Sequence, residues 1–223
     1  MALTEPAAVV RALLRRHGRT FAEESGIRIE AGGDAAFQVL LLALLLSARI
    51  RAEVAVRATG ALLDAGWGDP GALVASTWQQ RVDVLDRAGY ARYDERTARQ
   101  LGICAQLVLD EYAGDLGGLR ERAGRQTAAE HRLLQQFPGI GPLGATIFVR
   151  EVQAEWIEWY PFADQRAVSS ARLLGLPGDA AGLAGLVPDR ATFVILVAAL
   201  VRCGLAKDHD SVLAEASGPE PAA

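Results

Sequence analysis

Lysine is almost absent from this chain. Lys207 is the sole one among 23 basic residues, so chemistry that needs an ε-amine has a single candidate. Two cysteines, Cys104 and Cys203, cannot ligate an iron–sulfur cluster or build a zinc site unaided. The three histidines, His17, His131 and His209, lack metal-ligand spacing, so the expectation is no metal and no cofactor. Long apolar runs are missing too: Val39 to Leu46 is eight residues and Phe193 to Val201 nine, where a bilayer span needs about 20. No basic, apolar leader opens the sequence, which leads to an expectation of a cytoplasmic, nucleoid-associated monomer off the membrane. Disorder is excluded by composition, because 51% of the 223 residues are hydrophobic and 22% charged, enough to bury a core without disulfides.

The net charge is −4, which argues against indiscriminate polyanion binding. Four carboxylates, Asp208, Asp210, Glu215 and Glu220, stand in the last 16 residues, and the two signs balance over 1–207. Residues 208–223 read as an acidic, disordered tail. Arg11, Arg15, Arg16 and Arg19, with His17, read as a solvated helix face.

Helical signals dominate, and the fold class is all-α. Phe37 to Ala48 is too rich in Leu and Ala for a strand, and its apolarity on every side implies a helix buried all round, capped by Asp34. An amphipathic helix over 50–63 follows, stopped by Gly66, Gly68 and Pro70. Ser76 with Gln79, and Thr127 with Glu130, have capping-box spacing. A helix is predicted from Asp94 to Leu109, then a loop over Gly114 to Gly124. Pro142 suits the first position of a helix to about Val152. Asp164 and Asp189 are placed to cap helices over 165–174 and 190–202.

The most specific stretch is Leu134-Gln-Gln-Phe-Pro-Gly-Ile-Gly-Pro-Leu-Gly-Ala145, a helix, a short hairpin and a second helix. Glycines at 139 and 141 permit a tight turn and remove side chains that would block close approach. Backbone amides of such a turn, with the N-terminus of the next helix, can hold one phosphate of a nucleic-acid backbone without any basic residue. Ile140, between the glycines, is expected to face inward and pin the hairpin. A Gly-x-Gly alone would equally suit an ordinary helix–helix turn; the apolar frame around it is what adds specificity.

This frame resembles the helix-hairpin-helix DNA glycosylase superfamily, the endonuclease III branch in particular. A second region carries the same likeness: Leu45-Leu-Ser-Ala-Arg-Ile-Arg-Ala-Glu-Val-Ala-Val-Arg-Ala-Thr59 is similar to the family's opening core helix and turn. The resemblance spans roughly residues 34–205 and implies two helical lobes around a DNA-binding cleft. It divides the chain into 34–150, a bundle ending in the helix-hairpin-helix at about 128–152, and a lobe built from 1–33 with 151–207. It implies a base-excision-repair enzyme that hydrolyses the N-glycosidic bond of a flipped damaged base in double-stranded DNA. The family's aspartate beyond the hairpin matches Asp164, where a carboxylate would stabilise oxocarbenium charge on the sugar and orient water. Gly139, Ile140, Gly141, Leu143 and Gly144 match the DNA-gripping hairpin. Arg49 matches a turn residue that enters the space left by the everted nucleotide, and an arginine there could equally bind a phosphate or stand in solvent.

The departures from that pattern matter as much. Leu143 stands where bifunctional members have a lysine, so a Schiff-base lyase step is not expected. The four-cysteine cluster is missing, and Gln165-Arg166 replaces the usual Thr-His after the aspartate. Trp156, Trp159, Tyr160, Gln165 and Arg166 are pocket candidates, the aromatics either stacking on a base or packing a core. The alternative to an enzyme is a non-catalytic binder of abasic or distorted DNA on the same fold.

Overall fold

A computed structural model describes residues 5–29 and 34–218. Every regular element among them is helical, as the composition implies. In chain order these are α1 (Pro6–His17), α2 (Phe21–Glu24), α3 (Ala35–Leu46), α4 (Ala52–Asp64), α5 (Pro70–Ala75), α6 (Trp78–Arg87) and α7 (Asp94–Tyr112). There follow α8 (Gly118–Arg122), α9 (Thr127–Leu134), α10 (Pro142–Val152), α11 (Gln165–Leu173), α12 (Ala180–Ala184), α13 (Arg190–Ala206) and α14 (His209–Ala216), with a 3-10 turn at Ile157–Trp159. No helix among the described residues is long and apolar enough to cross a membrane. The chain divides into two units: one from residues 21–158, the other from residues 1–20 with 159–223.

In the unit spanning 21–158, α3 is the central element. Phe37 and all residues from Val39 to Leu45 are buried, so no face of this helix is left for solvent. Each of its fully buried leucines contributes about 2 kcal/mol relative to exposure. Helix α4 applies Val54, Ala58 and Leu62 to α3, and α10 packs on another side of it. Gly144 makes that crossing close, since a Cβ there would lie 3.3 Å from Ile140 and from Ser47 Oγ. The far end of α10 holds a buried ion pair, Arg150 Nε to Glu151 Oε1 at 3.3 Å. Glu151 Oε2 also accepts from the Ala22 amide at 3.0 Å, tying α2 to the same point. Helix α7 packs against α5 and α6.

In the other unit, α13 is buried from Phe193 to Val201 except for the half-buried Ile195, and α1 and α11 pack on it. The expectation of a disordered tail from residue 208 does not hold for 209–216, which form α14 against α1. Buried Val212 supplies the apolar anchor. The basic end of α1 supplies the charge: Arg15 Nε meets Glu215 at 2.7 Å, Arg16 Nε meets Asp208 at 2.9 Å, and His17 Nε2 meets the same Asp208 oxygen at 2.9 Å. Arg15, Arg16 and His17 are therefore not a purely solvated face, because a cationic helix end and an acidic segment neutralise each other. Residues 219–223 of the expected tail lie outside the described residues.

Four local readings differ from the structure. Asp34 stands at the N-cap position of α3, but its side chain makes no cap hydrogen bond. The first capping box is shifted by one residue: Thr77 Oγ1 accepts from the Gln80 amide at 3.1 Å, and Gln80 Oε1 from the Thr77 amide at 2.7 Å. Thr127 makes no cap, because Gln126 is the N-cap and Glu130 is fully buried instead. The stretch read as a loop over 114–124 contains α8, held by the fully buried Leu119.

Candidate functional site

The hairpin joins α9 to α10 through Gln135–Gly141. Pro138 and Gly139 reverse the chain, and Gly139 adopts φ of +92°, a conformation that L side chains rarely take. A Cβ there would also stand 2.9 Å from the Gln100 amide nitrogen. Ile140 turns inward, 3% exposed, as its place between the glycines predicts. Its own amide bonds back to the Phe137 carbonyl at 3.0 Å.

Beyond Ile140 the chain presents unused donors. The Gly141 side of α10 carries no cap, and Pro142 has no N–H to offer. Among the described residues, the amides of Gly139, Gly141, Leu143 and Gly144 have no hydrogen-bond acceptor. Gly139, Gly141 and the Leu143 side chain are exposed. Gly141 has an ordinary φ of −90°, and a Cβ added there would meet nothing within 4 Å. The chain's own packing thus makes no demand for glycine at 141. What glycine leaves there is open space at the positive end of α10, where the Gly141 and Leu143 amides are unsatisfied at exposed residues and the Gly144 amide at a buried one.

A pocket of about 330 Å³ adjoins the hairpin and is lined by Gly139 and Gln100, by Ser47 and Arg49 of the turn after α3, and by Tyr93 and Arg96 at the start of α7. Arg49, predicted from the sequence, is exposed and reaches the same pocket edge as Gly139 although 90 positions separate them. Tyr93, Arg96 and Gln100 escaped the sequence reading, having no motif of their own. The one signal was the Gly89-Tyr90 break just before a strong helical run.

Asp164 sits in the other unit, 8% exposed, and Oδ1 accepts from the Ala167 amide at 2.9 Å as the N-cap of α11. The capping role read from the sequence is therefore present. The five pocket candidates are divided between the two units, Trp156 in one and Trp159, Tyr160, Gln165 and Arg166 in the other. Trp156 belongs to the core of unit 21–158, 5% exposed, edge-on to Phe148 at 5.1 Å and beneath the Arg120 guanidinium at 5.2 Å. Arg120 is itself clamped by Glu158 through two bonds of 2.7 and 2.6 Å. Of the two reasons for aromatics in this stretch, Trp156 follows the packing one. Trp159 packs edge-on to Phe162 at 5.6 Å, and Tyr160 edge-on to Phe193 at 5.3 Å. Gln165 and Arg166 are exposed and line a different pocket, about 450 Å³, with Ser169, Leu173, Leu205 and His209.

Burial pushes the Cys104 thiol up to about 12 and raises Cys203 as well, so neither is a ready nucleophile. Lys207 is exposed and ends α13 in a left-handed conformation, φ +56°, which suits a helix terminus. Among the described residues no three His, Cys, Asp or Glu side chains gather as metal ligands.

No family model and no curated protein matches this chain. Among solved structures it is similar to a trapped endonuclease III–DNA covalent intermediate, an estranged-adenine complex, with 18% identity and a TM-score of 0.45 over 74% of this chain and 71% of that one.

Proposed function

We propose that this chain binds duplex DNA through the 137–144 hairpin and hydrolyses the N-glycosidic bond of a flipped, damaged base. The observation that carries the DNA-binding part is the set of amides without acceptors at the exposed Gly139, Gly141 and Leu143 and the buried Gly144, beside a glycine that packing does not require. A backbone phosphate satisfies such donors and complements the helix end, and it needs no basic side chain. That accounts for phosphate recognition by a chain of net charge −4. Arg49 lies along the same pocket edge as a group able to enter the duplex.

The chemical step rests on Asp164 and on the sequence resemblance. As the C1′–N bond breaks, its electron pair leaves with the base and positive charge grows on the sugar, where a carboxylate stabilises it. Water adds to C1′ and gives up a proton, leaving an abasic sugar and an unbroken strand. With Leu143 at the lysine position, no amine stands ready to continue to strand scission.

One observation favours the second reading, a non-catalytic binder of abasic or distorted DNA: Asp164 is nearly buried and one of its oxygens is engaged as a helix cap. A single experiment separates the two. End-labelled duplexes, each with one lesion, are incubated with wild type and with Asp164→Asn, then resolved with and without hot alkali. Breaks that need alkali and vanish in the variant support the glycosylase. Breaks without alkali overturn the monofunctional assignment. No product on any lesion, with tight binding to abasic duplex, overturns the enzyme and leaves the binder.

A further inference from the structure

A pocket of about 570 Å³ lies between α5, α6 and α7 and has no part in the reading above. Its walls are apolar: Val74, Trp78, Ile103 and Leu107. Trp78 is 38% and Ile103 43% exposed, unusually open for such side chains. The Trp78 indole N–H is already bonded to the Glu95 carbonyl at 3.1 Å, which fixes the ring and leaves its face available.

Two arginines interrupt this apolar lining. Arg81 is only 8% exposed and makes no ion pair among the described residues. Its Nε donates to the Ala98 carbonyl at 2.9 Å, and Nη1 to the carbonyls of Leu73 and Ser76 and to Ser76 Oγ at 2.7 to 3.1 Å. These acceptors hold the guanidinium without neutralising it. Nη2 has no acceptor among the described residues, and it is not sealed from solvent. It points past Gly102, where a Cβ would come within 2.8 Å of it. A glycine in the middle of a 19-residue helix weakens that helix, and here it keeps the guanidinium edge reachable. Arg99, one turn before Ile103, adds a second, exposed cation to the same lining. Burial lowers the Arg81 pKa, with no carboxylate acting against it. A fixed cation with two unused N–H groups beside a tryptophan face is the arrangement that recognises an oxyanion attached to a flat apolar body.

We infer that the α5–α6–α7 pocket binds a small aromatic oxyanion, a carboxylate or a phosphate monoester, with the oxyanion on Arg81 Nη2 and Arg99 and the ring against Trp78 and Ile103. The site is independent of the hairpin and of any glycosylase activity.

The test is a nitrogen–proton correlation titration of the full chain with 1-naphthoate, 1-naphthyl phosphate and neutral 1-naphthamide. The Trp78 indole and Gly102 amide resonances are the reporters, and Gly141 is the control. At least one anion is expected to shift the reporters saturably, and the amide to bind at least about ten-fold more weakly. Whichever anion binds more tightly identifies the source of the oxyanion. Ile103→Glu, which places a like charge in the pocket from an exposed position, is expected to weaken the anion about ten-fold or more without moving Gly141 or the melting temperature. Gly102→Ala, which crowds Nη2, is expected to act in the same direction. Absence of saturable shifts by either anion up to about 10 mM overturns the inference, as does equal binding of the amide or an unchanged affinity in Ile103→Glu.

Discussion

Two helices of this protein begin after proline-containing turns and solve the problem of their first amides in opposite ways. At α11, Asp164 bends its own carboxylate onto the Ala167 amide and satisfies the helix from within. At α10, Gly141 brings no side chain, and the amides of Gly141, Leu143 and Gly144 remain without acceptors. A helix end left uncapped costs stability unless water or a ligand supplies the acceptor. The first arrangement fixes a carboxylate on a helix start, and the second leaves donors that, on the proposed function, a phosphate from outside would satisfy. Each polarity fits a different part of the proposed reaction.

The largest effect should come from dissociating the two duties of Asp164. Asparagine caps a helix as well as aspartate does, so Asp164→Asn should leave the melting temperature within a degree or two while excision falls about 10³-fold. Asp164→Ala should add a stability loss of about 1 kcal/mol, read from urea midpoints. If Asp164→Asn retains turnover, the carboxylate at α11 is a cap and nothing more.

Ile140→Ala should destabilise by about 2–4 kcal/mol, because the side chain is 3% exposed and packs against Gly144 across the hairpin. Gly141→Val sharpens the comparison from the other side. Position 141 has an ordinary φ and empty space ahead, so the melting temperature should hold. Affinity for duplex DNA, measured by fluorescence anisotropy, should drop about ten-fold, since the added methyls stand where the phosphate must sit. Unchanged affinity would remove the hairpin from the interface.

The smallest expected effect concerns pH. Hydrogen bonds from Arg16 first, then Ser211 and His17, hold the Asp208 carboxyl well below its usual range, and Arg15 lowers Glu215. A carboxyl with a depressed folded pKa contributes stability that is full above its unfolded value, about 4, and is lost as the pH falls through the folded one. Helix α14 should therefore loosen from α1 below about pH 4, before the helices of residues 21–158 respond, and hydrogen exchange along α14 would read this out. Uniform protection of α14 down to pH 2 would show that Val212 alone holds it.

Much of this architecture was legible in residue order. The all-round apolarity of Val39 to Leu46, Pro142 at a helix start, and Asp164 and Asp189 as caps each reflect interactions within one turn of the chain, where sequence neighbours are spatial neighbours. The shifted box at Thr77 and the uncapped Thr127 show the limit: Ser76 spends its hydroxyl on the Leu73 carbonyl three residues back, a competing local bond, whereas Glu130 is buried in the core, which packing with other parts of the chain decides.

For the candidate sites, the sequence alone determined the hairpin, since Gly139, Ile140 and Gly141 act through backbone geometry that neighbours dictate. Only tertiary structure decided that Arg49 borders the hairpin pocket with Tyr93, Arg96 and Gln100, that Trp156 packs on Phe148, and that a carboxylate-free arginine lies under Gly102. It likewise turned an acidic stretch into α14 by bringing Arg15 and Arg16 to Glu215 and Asp208 across some 200 residues. The physical reason is common to all four. Backbone turns and caps are local interactions that composition encodes directly, whereas pockets and ion pairs form only where packed helices bring distant side chains within a few ångströms.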